Sequence, residues 1–393
     1  TMDRKYELTK NNKMIPLIMM AIGVIAIVMG FMSDKTRTWA ALLQNNFYFT
    51  AMALGGTFFV AFQYVAQAGW AVGIKRVPEA MGGFLKYGMS AMILIFILGH
   101  HDLYHWTHAE LYDKASPEYD SIMAGKSGFL NIPFFIVRMV AYAAIWVGFT
   151  MALRKHSLKE DEEGGIEHYK KSITLGAVFI VLFAVTSSTS AWDFLMSIDA
   201  HWFSTLFGWY TFAGLFVSAL AMMAMFILFL RKRGYMNHVN ENHLHDVGKF
   251  MFAFSIFWTY LWFSQFMLIW YANLPEEVVY YQLRWEQFRS LWVANLLINF
   301  CAPFFILMTR DAKRQEAIMW VGGTIIILGH WLDVYMMVQP GIMGKDWQLG
   351  FTEFGTMIGF LGAFIYSTLT ELSKATLVPK NHPMLQETLH HHI

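Results

Sequence analysis

The residues best suited to chemistry in this sequence are ionisable side chains that lie in or beside long apolar segments. An ionisable group is costly in a hydrocarbon environment, so each one that is retained there is a candidate for function. Six such residues are suited to transferring a proton or controlling its transfer: Arg138, Asp193, Asp199, His201, His330 and Asp333.

Each residue type in this set has its own part in proton transfer. Carboxylates and imidazoles suit a relay because burial and neighbouring charges can bring their pKa values close to the working pH. Arg138 keeps its proton, so we expect it to hold a carboxylate charged or to separate two half-paths. The alternative is structural: Arg138 pairs with an acid to lock helix packing, while Asp193 and Asp333 cap helix ends.

The most distinctive stretch, STSAWDFLMSIDAHWFSTLFGWY at 188–210, combines acids, a histidine and tryptophans at one membrane interface. A quinone headgroup needs hydrogen-bonding partners for its oxygens and an apolar slot for its ring and tail. Four residues are therefore candidates for contact with a quinone: Trp192, Asp193, His201 and Trp202. An aromatic belt with polar helix caps explains the same composition.

Metal and haem chemistry have weaker support in the sequence. His101, His105 and His108 would share one face of a helix, but a wet or partner-facing surface explains them as well as a metal site does, and we predict no metal. Cys301 is the only cysteine, which excludes an intrachain disulfide, a four-cysteine site and a C-x-x-C-H haem attachment. Only His330 lies well inside a span, which argues against a b-type haem.

Composition indicates that lipid surrounds the elements that position these residues. Of 393 residues, 56% are hydrophobic and 15% are charged, against roughly 25% charged in soluble proteins. The net charge of +1 suggests no nucleic-acid partner. We predict an all-α integral membrane protein with a single polytopic domain over 1–393.

Ten apolar stretches are long enough to cross a membrane. They are 15–32, 47–74, 80–99, 132–153, 173–195, 203–230, 248–272, 288–308, 317–338 and 350–371. Lys and Arg concentrate on the side that holds both chain ends, which predicts cytoplasmic N- and C-termini. Trp and Asp recur near the ends of the fifth and ninth stretches. This recurrence predicts two four-helix bundles in parallel repeat, over 47–195 and 203–338, with flanking helices.

The segments WDFLMSIDAHWFSTLFGWY and HHDLYHW, with the ten-span layout, resemble the NrfD-type, polysulfide-reductase-like membrane subunits. The resemblance is strongest to the second such subunit of alternative complex III, a bacterial quinol:acceptor oxidoreductase. It implies a place in the bacterial inner membrane, electron transport from menaquinol or ubiquinol, and proton movement through bundle interiors. The implied partners are a multihaem c-type cytochrome subunit, an iron–sulfur subunit, a paralogous membrane subunit and lipids.

The resemblance also implies how the work is divided within such a complex. Haem and iron–sulfur centres belong to partner subunits, and this chain carries no covalently bound cofactor and no redox centre of its own. We therefore expect a proton-transfer path and a scaffold next to the quinol-oxidising subunit. Two alternatives stay open, a secondary transporter and a purely structural membrane anchor.

Overall fold

The computed structural model describes residues 4–392, which form helices and, within that range, a single isolated antiparallel bridge between Lys5 and Thr376. The helices are α1 (Lys10–Ser33), α2 (Lys35–Val65), α3 (Arg76–Gly82), α4 (Leu85–Leu103), α5 (Ser121–Lys126), α6 (Ile132–Glu163), α7 (Glu167–Phe194), α8 (Leu206–Lys232), α9 (Glu241–Ala272), α10 (Pro275–Gln287), α11 (Arg289–Leu296), α12 (Ala302–Leu307), α13 (Glu316–Met343), α14 (Phe351–Ser373) and α15 (Leu385–Leu389). A π-helical turn over Leu297–Cys301 joins α11 to α12.

Nine helical segments within residues 4–392 are long and apolar enough to cross a membrane. They are α1, α2, α3 with α4, α6, α7, α8, α9, α11 with α12, and α13. The prediction of an all-helical, multi-pass membrane protein is confirmed at this level. The tenth predicted stretch forms α14, but glutamates and threonines near both its ends make it less apolar than the nine.

The second predicted stretch was placed too late in the chain. The sequence indicated 47–74, whereas α2 begins at Lys35 and ends at Val65. Gln44, Asn45 and Asn46 interrupt the apolar run in the first half of α2, so this half was not predicted. All three residues are nevertheless fully buried. Their side chains connect helices: Asn45 accepts a hydrogen bond from Trp331 Nε1 at 2.7 Å, and Asn46 donates to the Gly88 carbonyl at 3.0 Å.

Both ends of the described chain lie on one side of the helices, called here the terminal side. Lys5 bridges to Thr376, and the Leu377 amide donates to the Arg4 carbonyl at 3.2 Å. The opposite side is called the far side. There Arg37, at the start of α2, donates to both carboxylate oxygens of Glu353, at the start of α14, at 2.6 and 2.7 Å.

Two sets of helices form closed sequences of contacts. In the first set α2 packs on α4, α4 on α6, α6 on α7, and α7 returns to α2. In the second set α8 packs on α9, α9 on α12, α12 on α13, and α13 returns to α8. The sets meet where α2 contacts α8 and α13, while α1 packs mainly against α14. Four of the predicted proton-transfer residues, Arg138, Asp193, His330 and Asp333, are therefore carried by helices of these two sets.

Candidate functional site

Asp193 lies within the first helix set and is 1% exposed. Arg138, on the neighbouring helix α6, donates to its two carboxylate oxygens from Nε at 2.8 Å and Nη2 at 2.9 Å. The Tyr142 hydroxyl donates to the same carboxylate at 2.6 Å. This two-pronged arrangement matches the planar guanidinium to the planar carboxylate and is the strong form of an ion pair. Asp193 is therefore a buried anion whose charge is balanced by one cation.

Arg138 is held from the far side by the segment that precedes α6. Its Nη1 donates to the Phe129 carbonyl at 2.9 Å, and its guanidinium lies 3.9 Å from the centre of the Phe129 ring. Asn131 caps α6 by accepting a hydrogen bond from the Phe134 amide at 2.9 Å, which fixes the first turn of the helix. The guanidinium is thus oriented before it meets Asp193.

The α6 side chains continue this contact as a polar stripe with one member at every fourth residue, so that neighbouring members adjoin on the helix surface and the stripe winds partly round the helix. The members are Arg138, Tyr142, Trp146, Thr150 and Arg154. Each is hydrogen-bonded to another helix. Trp146 Nε1 donates to Thr186 at 2.9 Å, Thr150 pairs with Thr57 at 2.7 Å, and Arg154 donates to Glu79 at 2.6 Å. From Arg138 to Arg154 the stripe rises about 24 Å, most of a hydrocarbon core of about 30 Å.

The terminal end of the stripe is a buried charge cluster that the sequence analysis missed. Glu79 accepts hydrogen bonds from Arg154, from Ser157 at 2.6 Å and from Arg76 at 3.1 Å. Nearby Glu160 is fully buried, neither of its oxygens accepts a hydrogen bond among the described residues, and its nearest cation is Lys75 at 3.9 Å. The spacing of Lys75, Arg76 and Glu79 could have indicated the cluster, because both basic residues are one helical turn from the acid. The excess of basic residues on this side predicts topology but not this cluster.

Asp333 occupies the interior of the second helix set and is also 1% exposed. It accepts hydrogen bonds from the Tyr210 hydroxyl on α8, from Asn295 on α11 at 2.8 Å and from Trp258 Nε1 on α9 at 3.0 Å. All three donors are neutral. The closest basic group is His330, whose Nδ1 lies 3.9 Å from the carboxylate. Unlike Asp193, Asp333 is surrounded by dipoles without a permanent cation.

His330 is 1% exposed, and within residues 4–392 neither ring nitrogen has a hydrogen-bond partner. Its ring meets Trp258 edge to face, with centroids 5.2 Å apart. His330 and Asp333 line a common cavity of about 10 Å³ with Tyr48 and Gly214. That volume corresponds to a single water molecule.

The π-helical turn between α11 and α12 helps to build the Asp333 site. Asn299 lies on this turn and donates to Asn295 Oδ1 at 2.7 Å and to the Gly329 carbonyl at 2.9 Å. Asn295 in turn donates to Asp333. Single π turns within helices are often found at functional sites because they redirect side chains. Here the turn allows two amides of one helix to face α13.

Asp199 and His201 lie at the far side, apart from the two buried aspartates in their contacts. Arg284 Nη2 lies 3.5 Å from Asp199, and its guanidinium stacks 3.3 Å from the Tyr280 ring centre. Burial raises the pKa of Asp199, although the Arg284 charge opposes this shift. His201 has a half-exposed side chain and pairs with Asp120 at 2.5 Å. The six predicted residues therefore divide between two interiors and the far-side surface.

The four residues suggested for quinone contact differ in their surroundings. The Asp193 carboxylate accepts hydrogen bonds from Arg138 and Tyr142, and His201 is hydrogen-bonded to Asp120. Trp202 is buried and stacks on Tyr280 at 3.8 Å, and Trp192 is half-buried with an unpaired Nε1. The indole Nε1 of Trp202 is likewise unpaired among the described residues. Contact of these four residues with a quinone stays a prediction.

The three histidines considered for a metal do contact one another. The rings of His101 and His108 stack at 4.1 Å, and those of His105 and His108 meet at 5.1 Å. His108 Nε2, however, is hydrogen-bonded to the His101 carbonyl at 2.8 Å. In the described part of the chain, no group of three or more His, Cys, Asp or Glu has the geometry to hold a metal ion.

Comparisons with protein-family models and with curated proteins find no match to this chain.

Proposed function

We propose that this chain is an integral membrane subunit of a respiratory quinol-oxidising complex similar to alternative complex III. In that complex it provides a proton-transfer path and a scaffold beside the quinol-oxidising subunit. The observation that supports this function is the polar stripe of α6, which joins a buried charge cluster on the terminal side to the buried Arg138–Asp193 pair. Polar side chains are costly to bury in a membrane, so the retention of five at regular spacing along one membrane helix indicates that they have a function.

The proposed architecture consists of two four-helix bundles in parallel repeat, flanked by α1 and α14. The closed contacts of the first and second helix sets support this architecture. So does the placement of Asp193 and Asp333 on the last helix of each set. We include α14 as a tenth crossing, because the pairing of Lys5 with Thr376 requires an even number. We further propose that the terminal side is cytoplasmic and the membrane is a bacterial inner membrane.

The first set supplies the longer part of the proposed path. Protons enter at Glu79 and Glu160 and pass Thr150 and Thr57 toward Asp193. Trp146 only donates, so it cannot pass a proton, but a cavity of about 10 Å³ beside it is also lined by Thr50, Ser187 and Ser190. One water molecule fits that volume. Arg138 keeps its proton, so it fixes the charge of Asp193 and limits direct leakage to the far side.

The second set supplies a shorter path from Asp333 to the far side. A cavity of about 20 Å³ lies between Asp333 and the far side. Its lining includes Tyr210, Asn295, Tyr281 and Arg284. Phenol and amide groups of this kind orient water molecules and exchange hydrogen bonds with them. Asp199, paired with Arg284, marks the exit. In this proposal His330 and Asp333, which line one small cavity, form the inner end of the path.

The partners of this proposal follow from the resemblance. A multihaem c-type subunit, an iron–sulfur subunit and a paralogous membrane subunit carry the electrons, and menaquinol or ubiquinol supplies them. Quinone contact at Trp192, Asp193, His201 and Trp202 stays a prediction from the sequence, and the proposed proton path does not depend on it. Lipids surround the spans.

Two substitutions in the purified complex test the function. Asp193→Asn removes the buried charge, and Thr150→Val removes one hydroxyl of the stripe with little change in shape. Both should lower the number of protons translocated per electron while the complex still assembles. Thr174→Val, on the exposed face of α7, is the matched control and should change nothing. An unchanged proton-to-electron ratio in both test variants would contradict the proposal.

Purification from the native membrane separates the alternatives. Co-isolation of haem absorbance and several other chains supports the respiratory complex. A lone monomer or dimer that moves a solute indicates a secondary transporter. If substitutions in the stripe change stability but never turnover or proton yield, the chain is a structural anchor.

A further inference from the structure

A cavity of about 270 Å³ lies between α1, α8, α13 and α14, away from both proposed proton-transfer interiors. Its lining is apolar apart from two residues, and the full lining is Asn12, Ile15, Pro16, Met222, Met225, Phe226, Phe229, Arg233, Trp320, Ile365 and Leu369. Ile15 is 62% exposed, so the cavity reaches the lipid-facing surface.

The depth of the cavity matches one leaflet of a membrane. On α8 it extends from Met222 to Arg233, a rise of about 16 Å, while half of a hydrocarbon core is about 15 Å. Its other walls lie at the same level, since they come from the first turns of α1 and α13 and the last turns of α14. The cavity therefore runs from the terminal-side headgroup level toward the middle of the membrane.

A positive charge marks the headgroup end. Arg233 is exposed, and among the described residues no carboxylate lies within ion-pair distance of it. Its guanidinium rests 4.7 Å from the centre of the Phe229 ring, which lines the cavity. Arg4 adds a second cation nearby, because it donates to the Gly234 carbonyl at 3.3 Å and lies over Tyr235. Guanidinium groups bind phosphate through two parallel hydrogen bonds.

We propose that this cavity binds an anionic phospholipid of the terminal-side leaflet, with an acyl chain against the apolar wall and the phosphate at Arg233. The wall suits an acyl chain because its lining is mostly apolar and requires no hydrogen bond from its occupant. A quinol ring needs two hydrogen-bonding partners, and here the Asn12 amide already donates to the Tyr6 hydroxyl at 2.6 Å. The site does not depend on the proposed respiratory function.

Lipid titration of the purified, delipidated protein tests the site. Phosphatidylglycerol and phosphatidylcholine with the same acyl chains are added, and bound lipid is counted by native mass spectrometry. Phosphatidylglycerol should bind more tightly. Arg233→Gln should weaken its binding by about fivefold, the factor that one basic residue contributes at an anionic membrane surface. Lys232→Gln, an exposed neighbouring cation, is the matched control and should leave binding unchanged.

A second variant tests the apolar wall. Ile365→Trp should fill the cavity and reduce phosphatidylglycerol binding, with thermal melting used to verify that the protein is folded. Equal binding of the two lipids, equal effects of Arg233→Gln and Lys232→Gln, or full binding by folded Ile365→Trp would each overturn the proposal. Displacement of the lipid by a quinone or by a partner protein's helix at stoichiometric amounts would also overturn it.

Discussion

Asp193 and Asp333 are equally buried and each accepts a hydrogen bond from a tyrosine, but their charges are balanced differently. Arg138 supplies a permanent cation to Asp193, whereas Asp333 has three neutral donors and a histidine 3.9 Å away. A guanidinium at this distance favours the charged form of a carboxylate, whereas neutral donors stabilise it through hydrogen bonds alone. The two carboxylates therefore have different electrostatic surroundings, one beside a permanent cation and the other among neutral donors.

The Arg138–Asp193 pair should show strong energetic coupling. Arg138→Met leaves a buried anion without its partner, a change that costs about 3–5 kcal/mol in buried ion pairs. Asp193→Asn in the same chain removes that anion and keeps an acceptor for Tyr142, so the double variant should recover part of the loss. Thermal melting of the two single variants and the double variant in detergent measures the coupling.

The control for that cycle is Arg289→Met, which removes an exposed far-side arginine stacked on Trp285. It should have little effect on melting. Strictly additive effects of the Arg138 and Asp193 substitutions would show that the pair is not coupled.

His382 makes stability depend on pH. Burial, with smaller effects from Lys75 and Arg76, lowers the pKa of His382 to about 2. The unfolded chain takes up this proton below pH about 6.5, and the folded protein does not. The free energy of unfolding should therefore fall as the pH drops below about 6.5, by up to about 1.4 kcal/mol per pH unit.

The variant His382→Gln removes this contribution, so its melting temperature should fall less than that of the parent between pH 7 and 5. The exposed His390→Gln serves as the control and should follow the parent. Parallel pH profiles for the parent and His382→Gln would contradict the assignment.

At this scale the sequence indicated which charged residues matter but not how they are paired. Arg138 was expected to meet an acid, and the structure identifies Asp193, which lies 55 residues away. The identity of the acid that pairs with Arg138 depends on which helix faces α6, and no local sequence pattern contains that information. The polar stripe was readable from its four-residue spacing. A prediction based only on charged residues does not include this stripe, because Tyr142, Trp146 and Thr150 are uncharged.

Among the helices, α1 and α14 pack unusually closely through small residues. A Cβ built on Gly23 would lie 2.4 Å from the Gly359 Cα, and one on Gly355 would lie 2.5 Å from the Ala26 Cβ. Lipid is as apolar as a leucine side chain, so close backbone contact rather than the hydrophobic effect holds such helices together. The glycines at 355 and 359 also form a G-x-x-x-G pattern.

A large side chain at this contact should separate the two helices. Gly359→Leu should lower the melting temperature in detergent and make α1 easier to cleave by protease. Gly148→Leu is the matched control, because nothing lies within 4 Å of a Cβ at that exposed position of α6. Equal melting of the two leucine variants would contradict the close packing.

Helix existence was more predictable than helix boundaries. Continuous apolar runs located α6 to α9, because lipid contact demands apolar side chains over a full span. The polar ends of these helices were not predicted: α6 continues beyond 153 to Glu163, and α9 begins at Glu241 instead of 248. The start of α2 was missed because its polar residues are buried against other helices instead of facing lipid. The break between α3 and α4 at Gly82 and Gly83, and the π turn at 297–301, arise from tertiary packing and left no hydropathy signal.

At the scale of the whole molecule, the two chain ends close the terminal side. The Thr388 hydroxyl donates to the Trp70 carbonyl at 2.8 Å and accepts from the Gly73 amide at 3.2 Å. His391 pairs with Asp246 at 2.6 Å. The His391 ring also lies 4.9 Å from the His243 ring of α9, centre to centre. The C-terminal segment therefore holds the two helix sets together at their terminal ends.

Because both ends of the described chain lie on the terminal side, the number of membrane crossings between them should be even. Nine apolar helices alone would leave the two chain ends on opposite sides, yet Lys5 pairs with Thr376. If α14 crosses the membrane, positions before and after it must face opposite sides. With Cys301 replaced by serine, single cysteines at exposed positions report this directly.

Lys345→Cys precedes α14, Gln386→Cys follows it, and Glu7→Cys precedes α1; all three positions are exposed. A membrane-impermeant maleimide applied to oriented vesicles should label Glu7→Cys and Gln386→Cys from one side and Lys345→Cys from the other. Labelling of Lys345→Cys and Gln386→Cys from the same side would mean that α14 does not cross. Glu353 would then no longer meet Arg37 at the far side, and the ten-crossing arrangement would have to be abandoned.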